Sequence, residues 1–469
     1  AIKETVLLMG SELKTAVRTP AKLVPLIAEL PVPSAPMLAS IVEQNDVAAL
    51  NKFVADRWVA KPVLNTGSPL QLQKLLYETL GAPVRLRNKP TDTMRAKGIR
   101  EGTARTDEDA MMMAIKQGDV TGPEAEVLKA LVEAKSVRTR QGLYWEAYPK
   151  FLHHETGRIH PSLRQSSTNT RRYTGAEPNL QQMDSNPEGV RSVIVPHHRN
   201  AIMASLDESA QEVRQMADYC KDENLLTCYV GTPDQLRDVH SIVASRIAGC
   251  DYSEFRRRLK KGTEEEMKLA NSQRQTAKIT LFATLYGAAA PKIAEGLGIS
   301  EDEAQEYIDA IYEQFPGAKQ WKSDTEDMAK DQGWVPIHGG SKRHLQSLIT
   351  SDDRYTASKA LRQAGNARIQ AAGGNQLKRI MGRIWDSNLL DDYDYRWYFS
   401  VHDETLHSIG RKDAVEVLGI LHGFMCEQFL DVVPSASSIG VGRNFGQLNE
   451  LGEVFDLDTV QKAVDDLFL

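Results

Sequence analysis

The sequence has no run of about 18 apolar residues, the length that spans a bilayer. Its opening stretch, AIKETVLLMGSELK, has neither a basic n-region nor a small-residue cleavage site. A membrane helix and a cleaved leader are therefore not expected, and the chain reads as soluble and intracellular with no membrane partner. Cysteine is scarce. The four residues Cys220, Cys228, Cys250 and Cys426 form no CxxC pair, and no histidine separates the first two, so free and mostly buried thiols are expected. There is no GxxxxGK[ST] phosphate loop, no internal repeat and no low-complexity tract. A formal net charge of −6 means that any nucleic-acid site must be a local basic groove.

At 469 residues, 41% hydrophobic and 26% charged, the chain can bury several cores and reads as multidomain. It begins at Ala1 rather than Met, as a processed product or an excised fragment would. Residues 1–35 look helical and end at the proline-rich LPVPSAP, a boundary. Residues 36–83 suggest a helical arm. Within them SPLQLQKLLYETLG offers Leu70, Leu72, Leu75 and Leu76 as an apolar stripe and Gly81 as a stop. The stretch 84–105 carries seven Arg or Lys and reads equally as a solvated loop or as a DNA-backbone contact. Helix and strand patterns mix from 121, helix dominates from 232 to 350, and helix, strand and helix return from 351 to 469. RRRLKKGTEEE at 256–266 suits a solvated helix surface.

Two motifs mislead. HHETGRIH at 153–160 places its next histidine six residues after His154, so the two do not share a helix face as zinc ligands would. GVGRNFG at 440–446 echoes a dinucleotide loop, but its third glycine is one residue late and no helix clearly follows.

Three constellations can carry chemistry. In NAIMASLDESAQEVRQMADYC (200–220), Ala201 to Leu206 suit a buried strand and Glu208 onward a helix. Asp207 stands at the junction, as a helix N-cap or as a functional acid. In NSQRQTAKITLFATLYG (271–287), Arg274, Lys278, Phe282 and Tyr286 recur every four residues on one helix face, in a segment without a single acid. Two cations followed by two aromatics suit a polyanion bearing a flat base, although a core-facing aromatic pair gives the same spacing. WYFSVHDETLHSIG (397–410) reads as a β-hairpin with Val401–Glu404 at its bend. Adjacent Asp403 and Glu404 there are costly unless water or a cation neutralises them, and Mg²⁺ prefers carboxylate oxygen.

In this order the segments resemble the family A DNA polymerases. GRIHPSLRQSSTNTRRYTGAEPNLQQM (157–183) is similar to the family's GRIHTSF…T.TGRLSS.DPNLQN. DESAQEVR (207–214) matches DYSQIELR at Asp, Ser, Glu and Arg; RQTAKITLFATLYG (274–287) matches R..AK...F...YG; RQAGNARIQAAGG (362–374) resembles RAAINAPMQGTAA; and VHDE (401–404) is intact. The departures are Glu208 for tyrosine, Ala210 for glutamine, Arg171 for glycine and Ser400 for glutamine.

The resemblance implies an α+β right-hand polymerase fold: an antiparallel-sheet palm (121–237 and 351–469), helical fingers (238–350) and a helical thumb (36–120), after an N-terminal segment (1–35) that could be the remnant of an upstream domain. It implies a DNA-templated DNA polymerase that extends a primer with dNTPs by two-metal phosphoryl transfer. Asp207, Asp403, Glu404 and Lys278 are the implied catalytic set, with Asp207, Asp403 and the Glu208 backbone carbonyl on two Mg²⁺ ions that Mn²⁺ can replace. Arg274, Lys278, Phe282, Tyr286, Glu212 and Gln211 would bind dNTP; Arg172, Gln181, Arg362, Asn366, Gln370 and His402 would hold primer and template. The implied partners are primer-template DNA and dNTPs, with processivity partners left open; the implied state is a monomer in a bacterial or phage-infected host cytoplasm. Residues 1–35 are too short for a proofreading exonuclease domain. A single-subunit RNA polymerase is disfavoured by Glu212 and by VHDE in place of HDS, and an inactive nucleic-acid-binding module by the presence of both aspartates.

Overall fold

The computed structural model describes residues 65–184 and 189–469. The 1–35 segment and the first part of the 36–83 arm lie outside the described residues. The chain divides into two compact units, Ala1–Gln141 and Gly142–Leu469.

The first unit contains α1 (Pro69–Gln73), which runs on into a π-helical turn, then α2 (Asp92–Ala96), α3 (Glu108–Lys116) and α4 (Gly122–Arg140). Ser68, Thr91 and Asp107 start the first three by accepting an otherwise unpaired backbone N–H. Leu72, Leu76, Met111 and Leu128 form its core. Leu70, expected in that stripe, is instead exposed. Because α4 buries Leu128 and Leu131 against α3, the unit runs past residue 120, where the sequence suggested a boundary. In the basic stretch, Arg85 pairs with Asp119 (2.6 Å), Arg87 with Glu101 (3.3 Å) and Arg105 with Asp107 (2.8 Å), as in a solvated loop.

The second unit opens with the short pair β1 (Ser162–Arg164) and β2 (Thr174–Ala176), followed by β3 (Ala201–Glu208), α5 (Gln211–Cys220) and α6 (Glu223–Leu226). A helical block follows: α7 (Val239–Ile247), α8 (Tyr252–Lys261), α9 (Glu264–Leu285), α10 (Ala290–Leu297), α11 (Glu301–Gln314) and α12 (Pro316–Gln332). Phe255, Leu281, Ile311, Phe315 and Trp321 pack into one core together with Val213 and Met216 of α5. Next come the hairpin β4 (Trp334–Ile337) and β5 (Ser341–His344), then α13 (Gln346–Ile349) and the long α14 (Arg354–Ser387). The β4–β5 hairpin interrupts a region that reads as helical in sequence. Its turn needs Gly339 and Gly340 at φ +84° and +82°, a conformation that side chains disfavour.

The rest is β6 (Tyr395–Val401), β7 (Glu404–Gly410), α15 (Ala414–Met425), β8 (Ser437–Gly442), β9 (Leu448–Gly452) and α16 (Leu457–Asp466). The main sheet is antiparallel with strand order β6-β7-β3-β8-β9. Strand alternation sorts β3: Ile202, Ala204 and Leu206 pack against α14, α15 and α16, whereas Met203, Ser205 and Asp207 lie on the opposite face. The GVGRNFG glycines therefore belong to β8 and its turn; a strand, not a helix, follows them. All four cysteines are free. No described helix is long and apolar enough to cross a membrane.

Candidate active site

Asp207 is the penultimate residue of β3, and α5 starts only at Gln211 with Ala210 as its cap. Asp207 therefore does not cap the helix. Across the sheet it stands opposite Glu404, and the Glu208 N–H donates to the Asp403 carbonyl at 3.3 Å, which ties the turn between β6 and β7 to the end of β3. That turn is held from a second side. Gln181 donates its amide to the Ser400 carbonyl and accepts from the His402 N–H (3.2 Å). His402 takes φ +56°, an unusual backbone for a side-chain-bearing residue and one that such anchoring sustains. Gln181 is buried with both ends of its amide engaged, so it positions the hairpin where a direct DNA contact was expected. Ser400 is likewise buried and cannot replace a template contact.

Asp207, Asp403, Glu404, Glu450, Ser205 and Arg191 line a cavity of about 420 Å³. Burial pushes the Asp207 carboxyl up to about 7, helped by the charges of Asp403, Glu404 and Glu450. Burial also raises Asp403 and Glu404. Glu404 accepts from the Ser205 hydroxyl and has Arg191 at 3.6 Å from its second oxygen. One arginine against four carboxylates leaves excess negative charge, and a hard divalent cation with oxygen ligands would relieve it. The donor set fits such ions.

Glu208 points to the other face, where alternation places it under the helices. It is buried, and its carboxyl is held well above the usual range by burial, first of all. Its backbone N–H reaches the Asp403 carbonyl in the turn. Gln211 is buried at the start of α5, and a Cβ on Gly373 would fall 2.1 Å from its oxygen, so α14 makes room for it. Glu212 receives the Arg172 guanidinium at 2.6 Å. Burial raises the Glu212 carboxyl and Arg172 opposes it. Arg172, expected on DNA, is thus engaged with a residue expected under the sugar. Arg362, Asn366 and Gln370 follow one another at four-residue intervals along α14.

The ladder occupies the second half of α9, which starts with a capping box between Thr263 and Glu266. Tyr286 caps the end of the helix. Lys278 is exposed and has no carboxylate partner among the described residues. Arg274 differs from expectation. Although its own segment lacks acids, Asp238 at the N-cap of α7 takes its guanidinium in a fork, at 2.8 and 3.1 Å. Burial would raise Asp238, but Arg274 and Ser241 outweigh it and hold it low. His240 was not singled out in the sequence. Burial takes it down to about 4, with Arg274 and Lys278 adding to the effect. Its ring lies 6.0 Å from Phe282. The available signal was the D-x-H spacing at a helix start, legible only once α7 is packed on α9.

Two other clusters gather possible metal ligands among the described residues: His197, His198 and Asp394, and Asp218, His338 and Asp431. In the first, His198 Nδ1 accepts from the Asn200 N–H while Nε2 faces Asp394 at 2.7 Å, a closed hydrogen-bond set. Asp218 is spent on the backbone N–H groups of residues 431–433.

A sequence model of DNA polymerase family A matches residues 43–447. The chain belongs to DNA polymerase family A. The DNA polymerase I of Pseudomonas aeruginosa is 27% identical over 442 residues, covering 90% of this chain and 44% of that protein. The thermostable DNA polymerase I of Thermus aquaticus is 24% identical over 388 residues, covering 81% and 42%. The chain thus spans less than half the length of these relatives. Among solved structures, the POL domain of Pol1 from M. smegmatis, in complex with DNA primer-template and dNTP, has a TM-score of 0.68 at 24% identity, covering 94% of this chain and 66% of that one. The α+β family A polymerase fold expected from the sequence is the fold of this chain.

Proposed function

We propose that this chain is a DNA-templated DNA polymerase that extends a primer 3′-OH with dNTPs. The observation that carries this reading is the convergence of Asp207 from β3 and Asp403 from the β6–β7 turn on one carboxylate-lined cavity, in a chain of family A. Its similarity to a polymerase domain solved with primer-template and dNTP supports the same substrates. Asp207, Asp403 and the Glu208 backbone carbonyl would hold two Mg²⁺ ions, with Mn²⁺ as a substitute. When bound, these ions lower the pKa of the primer hydroxyl and neutralise the phosphates. Glu404 braces the turn through Ser205. Lys278 and Arg274 offset charge developing on the triphosphate. Phe282 and Tyr286 pack against sugar and base. Glu212, fixed by Arg172, crowds the 2′ side of the sugar, with Gln211 behind it. Arg362, Asn366, Gln370 and His402 hold the primer terminus and template, and Gln181 acts through the turn. Residues 36–120, with α4 packed on them, form the thumb, the rest of 121–237 together with 351–469 the palm, and 238–350 the fingers; the enzyme works as a cytoplasmic monomer.

Extension of a labelled primer on a DNA template with dNTPs or NTPs, with and without Mg²⁺, tests this reading. Mg²⁺-dependent extension with dNTPs is expected; a preference for NTPs would indicate an RNA polymerase, and no extension with either an inactive binding module.

A further inference from the structure

The family match stops at residue 447, and β9 begins at Leu448. The last strand of the main sheet and α16 behind it therefore lie beyond the matched region. α16 is anchored by Val460 and Val464, which are buried in the core under the sheet. β9 pairs with β8, but the register shifts between Ile439, opposite Gly452, and Gly440, opposite Glu450. The extra residue, Leu451, packs toward that core, and such a bulge re-aims its neighbours. Glu450 is thereby directed across β8 into the cavity that holds Asp207 and Asp403. It crosses at Gly440, where a Cβ would stand 3.3 Å from the Glu450 Oε1. Gly440 in turn pairs with Ser205 on β3, so the lane over the glycine leads to the residue that binds Glu404.

We infer that Glu450 is an auxiliary carboxylate of the divalent-cation site, supplied by the edge strand β9 and acting on the ions through water or by direct contact. The inference rests on the proposed two-aspartate metal site and deepens it. The role of Glu450 is to increase cation affinity so that the site fills at lower divalent concentration. Because Glu450 sits on an exposed edge strand, Glu450→Gln leaves the core untouched.

Mn²⁺ binding to the full chain, followed by the electron-spin-resonance signal of the free ion, provides a readout independent of catalysis. Glu450→Gln should raise the apparent Kd about three- to tenfold, the range of one partly screened charge. Asp458→Asn, which removes the same charge from exposed α16, should bind like wild type. In primer extension the Mg²⁺ concentration giving half-maximal rate should rise with Glu450→Gln by the same factor. Unchanged or tighter Mn²⁺ binding by Glu450→Gln overturns the inference. If Asp403→Asn also binds Mn²⁺ like wild type, the two-aspartate site itself falls; if Asp403→Asn loses binding while Glu450→Gln does not, only the role of Glu450 falls.

Discussion

Without divalent cations, the carboxylates of the Asp207 cavity should make the protein more stable as the pH falls from neutrality, the reverse of ordinary acid behaviour. Asp207 is pushed from 3.8 up to about 7 in the folded chain by burial and by the neighbouring acids. Between those two values the folded state holds more protons than the unfolded one, so stability declines as pH rises and is lost through the folded pKa. Integrating for this one group between pH 7.5 and 5.5 gives about 2 kcal/mol in favour of the lower pH. His240 and His407 are depressed by burial and act in the opposite direction, because unfolding lets them take up protons. Their contribution is shared by wild type and Asp207→Asn, so it cancels in the difference between the two. The assay is urea unfolding of both proteins in EDTA at the two pH values. The stability change of wild type on acidification, minus that of Asp207→Asn, should be about 2 kcal/mol toward stabilisation. Saturating Mg²⁺ should abolish the difference, because the ion takes the place of the proton. Equal pH responses of the two proteins in EDTA would refute the placement of Asp207 in a buried, like-charged cavity.

Lys278→Ala should lower kcat/KM for dNTP by about 10- to 100-fold, the scale of one charge-assisted contact, while primer-template affinity holds; unchanged dNTP kinetics would remove the ladder from the site. Glu212→Ala should raise ribonucleotide use relative to dNTP, with a drop in overall rate because Arg172 loses its partner. Phe282→Tyr should improve dideoxynucleotide incorporation through the added hydroxyl and leave ribonucleotide rejection in place; ratios of kcat/KM for each analogue against its dNTP check both, and exchanged effects would misplace the two residues. A mismatched primer incubated with Mg²⁺ and pure chain should not shorten, and excision would reveal a nuclease site within this chain.

Much of the site was legible because its residues sit on elements with strong local signals. The apolar run Ala201–Leu206 specifies a strand that ends beside Asp207, and alternating bulky residues around VHDE specify the hairpin that carries Asp403. The four-residue spacing of Arg274, Lys278 and Phe282 survives as one helix face. What escaped depends on pairing between distant segments. Asp238 reaches Arg274 across 36 residues, and Gln181 reaches the hairpin across more than 200, so neither leaves a local pattern. Glu450 leaves no local pattern either, since its direction is set by a bulge and by the glycine it passes. Arg171 shows the converse: the glycine usual at that family position is explained by a backbone φ of +60°, which the arginine adopts here.

The most direct test of the two-aspartate mechanism is single-turnover incorporation of one correct dNTP by wild type, Asp207→Asn and Asp403→Asn, with primer-template affinity measured in parallel. Each substitution keeps side-chain volume and removes one cation ligand, so the rate should fall by roughly three orders of magnitude or more while DNA affinity changes little. Incorporation within about tenfold of wild type by either variant would contradict the assignment of these carboxylates to the chemistry.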